Sequence, residues 1–177
     1  AALAEVGGAW LICLLIPLLP LIGFVINGLG NGKLPKSLVS LVRCGSVFIS
    51  FLLSIYLFIS FDSNSAGYTT EVFNWIKVGS LSIPFAFQID QLSLIMLLLV
   101  TGVGLIIHVY SAGYMSHDAG FGKFFAFLNL FIFSMLLLVL GSNYVMMFIG
   151  WEGVGLCSYL LIGFWNKVTP YNNAAKK

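Results

Sequence analysis

LSLIMLLLVTGVGLIIH, residues 92–108, carries no charged side chain between Asp90 and His108. At 1.5 Å per residue, about 20 apolar residues cross roughly 30 Å of hydrocarbon. With its flanks the stretch therefore reads as a membrane span over 89–110. Working outward, four more apolar stretches of similar length lie at 9–29, 38–60, 124–142 and 144–165. The first contains Pro17 and Pro20, which predicts a kink. The second is dotted with serines, rich in Phe, and has Arg43 near its start. The last two are joined by Gly141-Ser142-Asn143, which leaves room only for a tight antiparallel turn.

Composition agrees with this reading. Of 177 residues, 60% are hydrophobic and 8% charged, with a mean hydropathy of +1.04. A soluble domain carries about 25% charged residues, enough to cover a solvated surface. The numbers exclude a soluble domain and a disordered chain. A net charge of +2 without a basic run excludes a nucleic-acid binder, and the lipid bilayer is the implied surrounding. Cys13, Cys44 and Cys157 are odd in number, form no CxxC pair, and read as small apolar residues. The first twenty residues contain Glu5 and no Lys or Arg, so a cleavable signal peptide is not expected.

The basic residues set an orientation. Five spans place 30–43, 111–123 and 166–177 on one side, with Lys33, Lys36, Arg43, Lys123, Lys167, Lys176 and Lys177. The other side has Lys77 with Glu5, Asp62 and Glu71. By the positive-inside rule the N-terminus lies outside and the seven bases face the cytoplasm. Within the outer loop, 62–88, two runs are aromatic and β-branched: 72–78 (VFNWIKV) and 81–87 (LSIPFAF). Gly79-Ser80 between them suits a two-residue hairpin turn. Pro84 then requires an edge position. The hairpin serves either to dock a neighbouring protein or to cover its own bundle.

One acid falls inside a span. Glu152 lies about 12 Å along the fifth span by helical rise, in GWEGVGLCSYLLIGFW (150–165). An ionisable group there costs about 2.5–3.5 kcal/mol on insertion scales and is a functional candidate for that reason. Gly150, Gly153 and Gly155 would let a helix approach or water reach it. Its place along the span puts Glu152 near mid-depth of the membrane, poised to exchange a proton. A structural Glu bonded to a neighbouring helix is the alternative. His108, near the inner end of the third span, is a candidate proton relay, or merely a residue favoured by the helix dipole. Asp90 reads as a capping acid first and a relay second. Ser158 and Ser134 could carry water or bond back to their own helices. Trp10, Trp75, Trp151 and Trp165 read as interface anchors or packing. No His pair for haem, no Cys cluster for iron–sulfur, no metal site and no glycine-rich phosphate loop is present. Any transport must then be driven from elsewhere.

Asp90-Gln91-Leu92-Ser93-Leu94, HVYSAGYM (108–115), FFAFLNLFIFSMLLLVLGSN (124–143) and GWEGVGLCSYLLIGFW (150–165) resemble the large antiporter-like membrane chain of proton-pumping NADH:quinone oxidoreductase. This is respiratory complex I, whose chain is called L in bacteria and 5 in mitochondria. The similarity covers about 88–177, while 1–87 agree in helix order and in the hairpin-bearing loop. The LCSYLLIGFW ending looks bacterial, which implies a bacterial inner membrane rather than a mitochondrial one. The resemblance implies a fold: an all-α polytopic membrane protein with five transmembrane helices and an outer β-hairpin loop, the N-terminal fragment of a larger antiporter-like bundle. Its parts are helices 1–2 with a cytoplasmic loop (1–61), the outer loop (62–88), helices 3–5 (89–165) and a cytoplasmic segment (166–177).

The resemblance also makes Glu152 the family's acid of the fifth helix, paired with a buried Lys two helices later in a half-channel. It places no cofactor in this chain. FMN, iron–sulfur clusters, NADH and quinone are expected in partner subunits, and the other membrane-arm subunits of complex I are the expected partners. The family chain is much longer. This sequence starts at Ala1 and stops on Asn173-Ala174-Ala175-Lys176-Lys177, where a sixth helix would begin, so a truncated stretch that cannot pump alone is expected. The large chain of a multisubunit Na⁺/H⁺ antiporter, which shares the Glu-bearing fifth helix, is the alternative, and a membrane-bound hydrogenase subunit is a third.

Overall fold

The computed structural model describes residues 2–30, 35–61 and 67–177, with side chains described from Leu11 onward apart from those of 36–38. Six helices and one hairpin follow in order: α1 (Ala2–Leu29), α2 (Lys36–Ser60), β1 (Tyr68–Val78), β2 (Leu81–Ile89), α3 (Gln91–Tyr114), α4 (Phe121–Leu140), α5 (Tyr144–Ile162) and α6 (Thr169–Lys176). Among the described residues, five helical stretches are long and apolar enough to cross a membrane: Leu11–Leu29, Val39–Ser60, Gln91–Tyr114, Phe121–Leu140 and Tyr144–Ile162. The part of the outer loop holding Asp62, and Lys33 between α1 and α2, lie outside the described residues.

The spans pack as neighbours dictated by short connections. Helix α1 lies against α2 and α4, α2 against α3, and α4 against α5. Buried residues recur on α3 at 93, 94, 97, 100, 101, 104, 108 and 111, the i, i+3, i+4 spacing of one helical stripe. The main core joins Cys13, Ile16, Val47, Leu57, Leu94, Leu97, Ile132, Leu136, Leu137 and Leu140 with Phe87 and Ile89 of the hairpin. Helix α3 continues to Tyr114, beyond the expected 110, which leaves His108 inside the helix rather than at its end.

Helix α1 runs unbroken through Pro17 and Pro20. Pro20 has no N–H for the Ile16 carbonyl one turn earlier. The Ser50 hydroxyl of α2 fills that place, sharing its proton between Ile16 O at 2.9 Å and its own helix's Ser46 O at 3.0 Å. In hydrocarbon no water can do this, so a neighbouring serine is what makes the proline tolerable.

The hairpin pairs antiparallel from Tyr68↔Ile89 to Val78↔Leu81, longer at both open ends than the sequence suggested. Gly79 takes φ +59°, the positive value a two-residue turn with Gly in first place needs. In a two-stranded sheet both strands are edges, so Pro84 is tolerated. Its carbonyl accepts from Asn143 Nδ2 at 2.8 Å. Ser142 N–H donates to Ala86 O at 3.2 Å, and Gly141 bridges to Phe87. Strand β2 is thus fastened to the α4–α5 turn with Ala86, Phe87 and Ile89 buried, so it covers its own bundle. Burial also pushes the Tyr68 phenol above its usual range, with Cys13 of α1 beside it adding to the effect.

Candidate functional site

Helix α5 starts on Asn143, whose side-chain oxygen accepts from Met146 N–H at 3.0 Å, a cap for an otherwise orphaned donor. Met146, Gly150 and Cys157 are its buried residues. They lie toward α4, where the helices approach closely. A Cβ on Gly150 would stand 2.5 Å from Leu138 N and 2.7 Å from its Cα, and one on Gly153 2.5 Å from Ser134 Oγ. Two of the three glycines around Glu152 are therefore spent on α4. Gly155 meets nothing within 4 Å.

Glu152 lies inside the Tyr144–Ile162 span, where the sequence places it. Its side chain is exposed on the face of α5 turned away from α4, beside Phe148, Trp151, Leu156 and Tyr159, and not deep inside the five-helix bundle. The physical reason is the glycine pair: the face without side chains must point at α4, which sends the face carrying Glu152 outward. Ser158 is half-buried on the same helix. Ser134, the other serine, sits under Gly153 and beside the Cys157 thiol.

His108 is fully buried. Its Nδ1 meets Gly104 O at 2.7 Å, one turn back on α3, and its Nε2 meets Asn129 Oδ1 of α4 at 2.8 Å. Asp90 caps α3 reciprocally: Ser93 N–H donates to Asp90 Oδ1 at 2.7 Å, and Asp90 N–H to Ser93 Oγ at 2.8 Å, the geometry of a capping box. The Ser93 backbone bond holds the Asp90 carboxyl below its ordinary range, partly opposed by burial and helped by Gln88. The structure brings none of Glu152, His108, Asp90 and Ser158 together. Asp90 stands at the hairpin end of α3, His108 toward its opposite end, and α5 is held by α4, α6 and β2.

Among similar sequences, residues 75–125 match the family described as NADH-ubiquinone oxidoreductase (complex I), chain 5 N-terminus. Residues 141–177 match NADH:quinone oxidoreductase/Mrp antiporter, TM. The chain belongs to this antiporter-like family. NADH-quinone oxidoreductase subunit L of Escherichia coli (strain K12) is 45% identical over 89% of this chain and 26% of its own length. Subunit L of Rickettsia conorii is 42% identical over 94% of the chain and 25% of its own length. NADH-ubiquinone oxidoreductase chain 5 of Talaromyces marneffei is 43% identical, covering 83% and 22%. The chain thus spans about a quarter of the relatives it matches. A chain of the Mrp complex from Dietzia sp. DQ12-45-1b shares the fold with TM-score 0.61 over 83% of this chain and 16% of its own, at 24% identity.

Relatives that match 89–94% of the chain extend the similarity well before residue 88, into the first two helices, where motifs alone gave no purchase. In this antiporter-like chain the sequence reading also missed a polar group at the end where the α1–α2 and α3–α4 connections lie. Arg43, counted among the residues of a water face, is fully buried, and so are Asn27 and Asn129. The available signal was their isolation: each is a lone polar residue in an apolar run, and such residues in spans face the protein interior.

Proposed function

We propose that this chain is the N-terminal part of a proton-translocating membrane-arm subunit of complex I, and that Glu152 exchanges the proton. One observation carries this reading. A carboxyl group about 12 Å along a span stands on a face that no described helix covers, and hydrocarbon is not a tolerable neighbour for it. Such a group requires a further helix or a water-filled path against it, and a carboxyl at a protein–water seam can take and release a proton. No carrier of electrons is needed in this chain. The redox centres belong to partner subunits, and the other membrane-arm subunits are its neighbours. With seven of eight bases at one end, the N-terminus faces outward across a bacterial inner membrane.

The test replaces Glu152 with Gln in the full-length subunit of the assembled complex and follows NADH-driven proton uptake in inverted vesicles. Loss of pumping with intact assembly and intact quinone reductase flux at the other subunits is expected. Unchanged pumping refutes the role. A second reading, the large chain of a cation/proton antiporter, is favoured by the shared family description and by the Mrp fold neighbour. Sodium-driven proton movement without NADH would select it.

A further inference from the structure

Arg43, on α2, lies beneath Phe121 and Phe125 at the start of α4. Its guanidinium carbon is 3.4 Å from the Phe125 ring centre and 4.1 Å from that of Phe121. Nη2 donates to the Ser40 hydroxyl, while Nε and Nη1 have no hydrogen-bond partner. The same holds for both amide atoms of Asn27 and for Nδ2 of Asn129. These groups share one place. Helices α1 and α2 run antiparallel with Ser50 at Ile16, and a Cβ on Gly23 would meet Asn129 Nδ2 and, at 2.9 Å, Ser46 Oγ. One turn further along the same stripes stand Asn27 on α1 and Arg43 on α2, whose guanidinium lies on Phe125, one turn from Asn129 on α4.

The chemistry of the group is one-sided. Arg43 offers four unused N–H protons and the two amides four more, against two side-chain acceptors beside them, Asn27 Oδ1 and the Ser46 hydroxyl oxygen. Neutral water could accept from these donors, but each molecule brings two protons that again lack acceptors. No described carboxylate takes Arg43 Nε or Nη1. Two aromatic faces return only part of the cost of burying the ion. A buried, unpaired cation among donors calls for negative charge. We propose that Arg43, Asn27 and Asn129 form a binding site for a small monovalent anion of chloride size, enclosed between α1, α2 and α4.

The anion takes the N–H groups of Arg43 and of the two amides, neutralises the guanidinium, and ties three helices at one point. Holding Asn129 Nδ2 also fixes its Oδ1 on His108 Nε2, so the site positions that imidazole. The experiment measures thermal unfolding of the purified full-length chain in detergent at constant sodium and ionic strength, with chloride, bromide or gluconate as the anion. A saturable rise in midpoint with chloride and bromide is expected, on the order of 2 °C at a hundredfold excess over the dissociation constant for a chain about four times this length. Gluconate, too large to enter, should give none. Arg43→Gln and, separately, Asn27→Leu should abolish the chloride dependence, the second keeping the guanidinium should the first not fold. In bromide crystals an anomalous peak should lie within hydrogen-bonding distance of Arg43 Nη1. Equal midpoints in chloride and gluconate, a chloride effect retained in both variants, or bromide crystals without that peak overturn the proposal. Glu152→Gln should leave the chloride effect intact, so this site and the proposed proton site fail or succeed separately.

Discussion

The Ser50 hydroxyl standing in for the missing N–H of Pro20 makes a quantitative prediction. Ser50→Ala removes the donor to Ile16 O, 2.9 Å away, and leaves that carbonyl orphaned, because Pro20 cannot reclaim it. The Ser46 carbonyl, Ser50's second acceptor at 3.0 Å, keeps the backbone N–H of its own helix and loses little. Interhelical hydrogen bonds in membranes average about 0.6 kcal/mol and reach about 1.7, while a buried unsatisfied group costs about 1–3 kcal/mol. A loss near 1 kcal/mol is expected. In a Pro20→Ala background the new backbone N–H bonds Ile16 O, and Ser50→Ala should then cost only a few tenths of a kcal/mol by the same reasoning. The four-variant cycle cancels whatever Pro20→Ala does on its own, and its coupling energy should be about 1 kcal/mol. Pro17→Ala, which restores a donor to Cys13 O instead, should be additive with Ser50→Ala. The assay is reversible unfolding in mixed micelles, with helix content followed by circular dichroism. Equal cost of Ser50→Ala with and without Pro20, or coupling to Pro17, would refute the account.

Three further substitutions probe the α4–α5 contact and the α3 cap. Gly150→Ala puts a Cβ 2.5–2.8 Å from Leu138 backbone and side-chain atoms, so α4 and α5 must part and stability should fall by about 1–3 kcal/mol. Gly155→Ala meets nothing within 4 Å among the described residues and, in the 177-residue chain by itself, should gain up to about 1 kcal/mol of helix propensity. Opposite signs in one unfolding series check both. Asp90 has its folded pKa lowered by the Ser93 bond. Its contribution is therefore complete above the unfolded value near 3.9, and is lost as pH falls through the lower folded value. Asp90→Asn keeps an accepting cap and should flatten that acid limb of the stability curve. A limb of unchanged slope places its origin elsewhere.

What the sequence discloses and what it hides divide along a physical line. The spans and the Asp90 cap are legible because each depends on residues close in the chain: a run of apolar side chains, or an acid three residues before a serine at a helix start. The hairpin turn at Gly79-Ser80 is legible for the same reason. Arg43 is not, since its burial is decided by Phe121 and Phe125 on another helix, and a base near a span end is indistinguishable in sequence from one reaching water. Nor is the direction of Glu152, because α5 is apolar all round and offers no polar face to orient it; only the contact of Gly150 and Gly153 with α4 does so. Asn27, Arg43 and Asn129 obey the rule that an isolated polar residue in a span turns inward, away from hydrocarbon. Glu152 breaks that rule within this chain. Since the rule follows from the cost of a carboxyl group in hydrocarbon, its breach implies that protein or water, not lipid, lies against that face of α5.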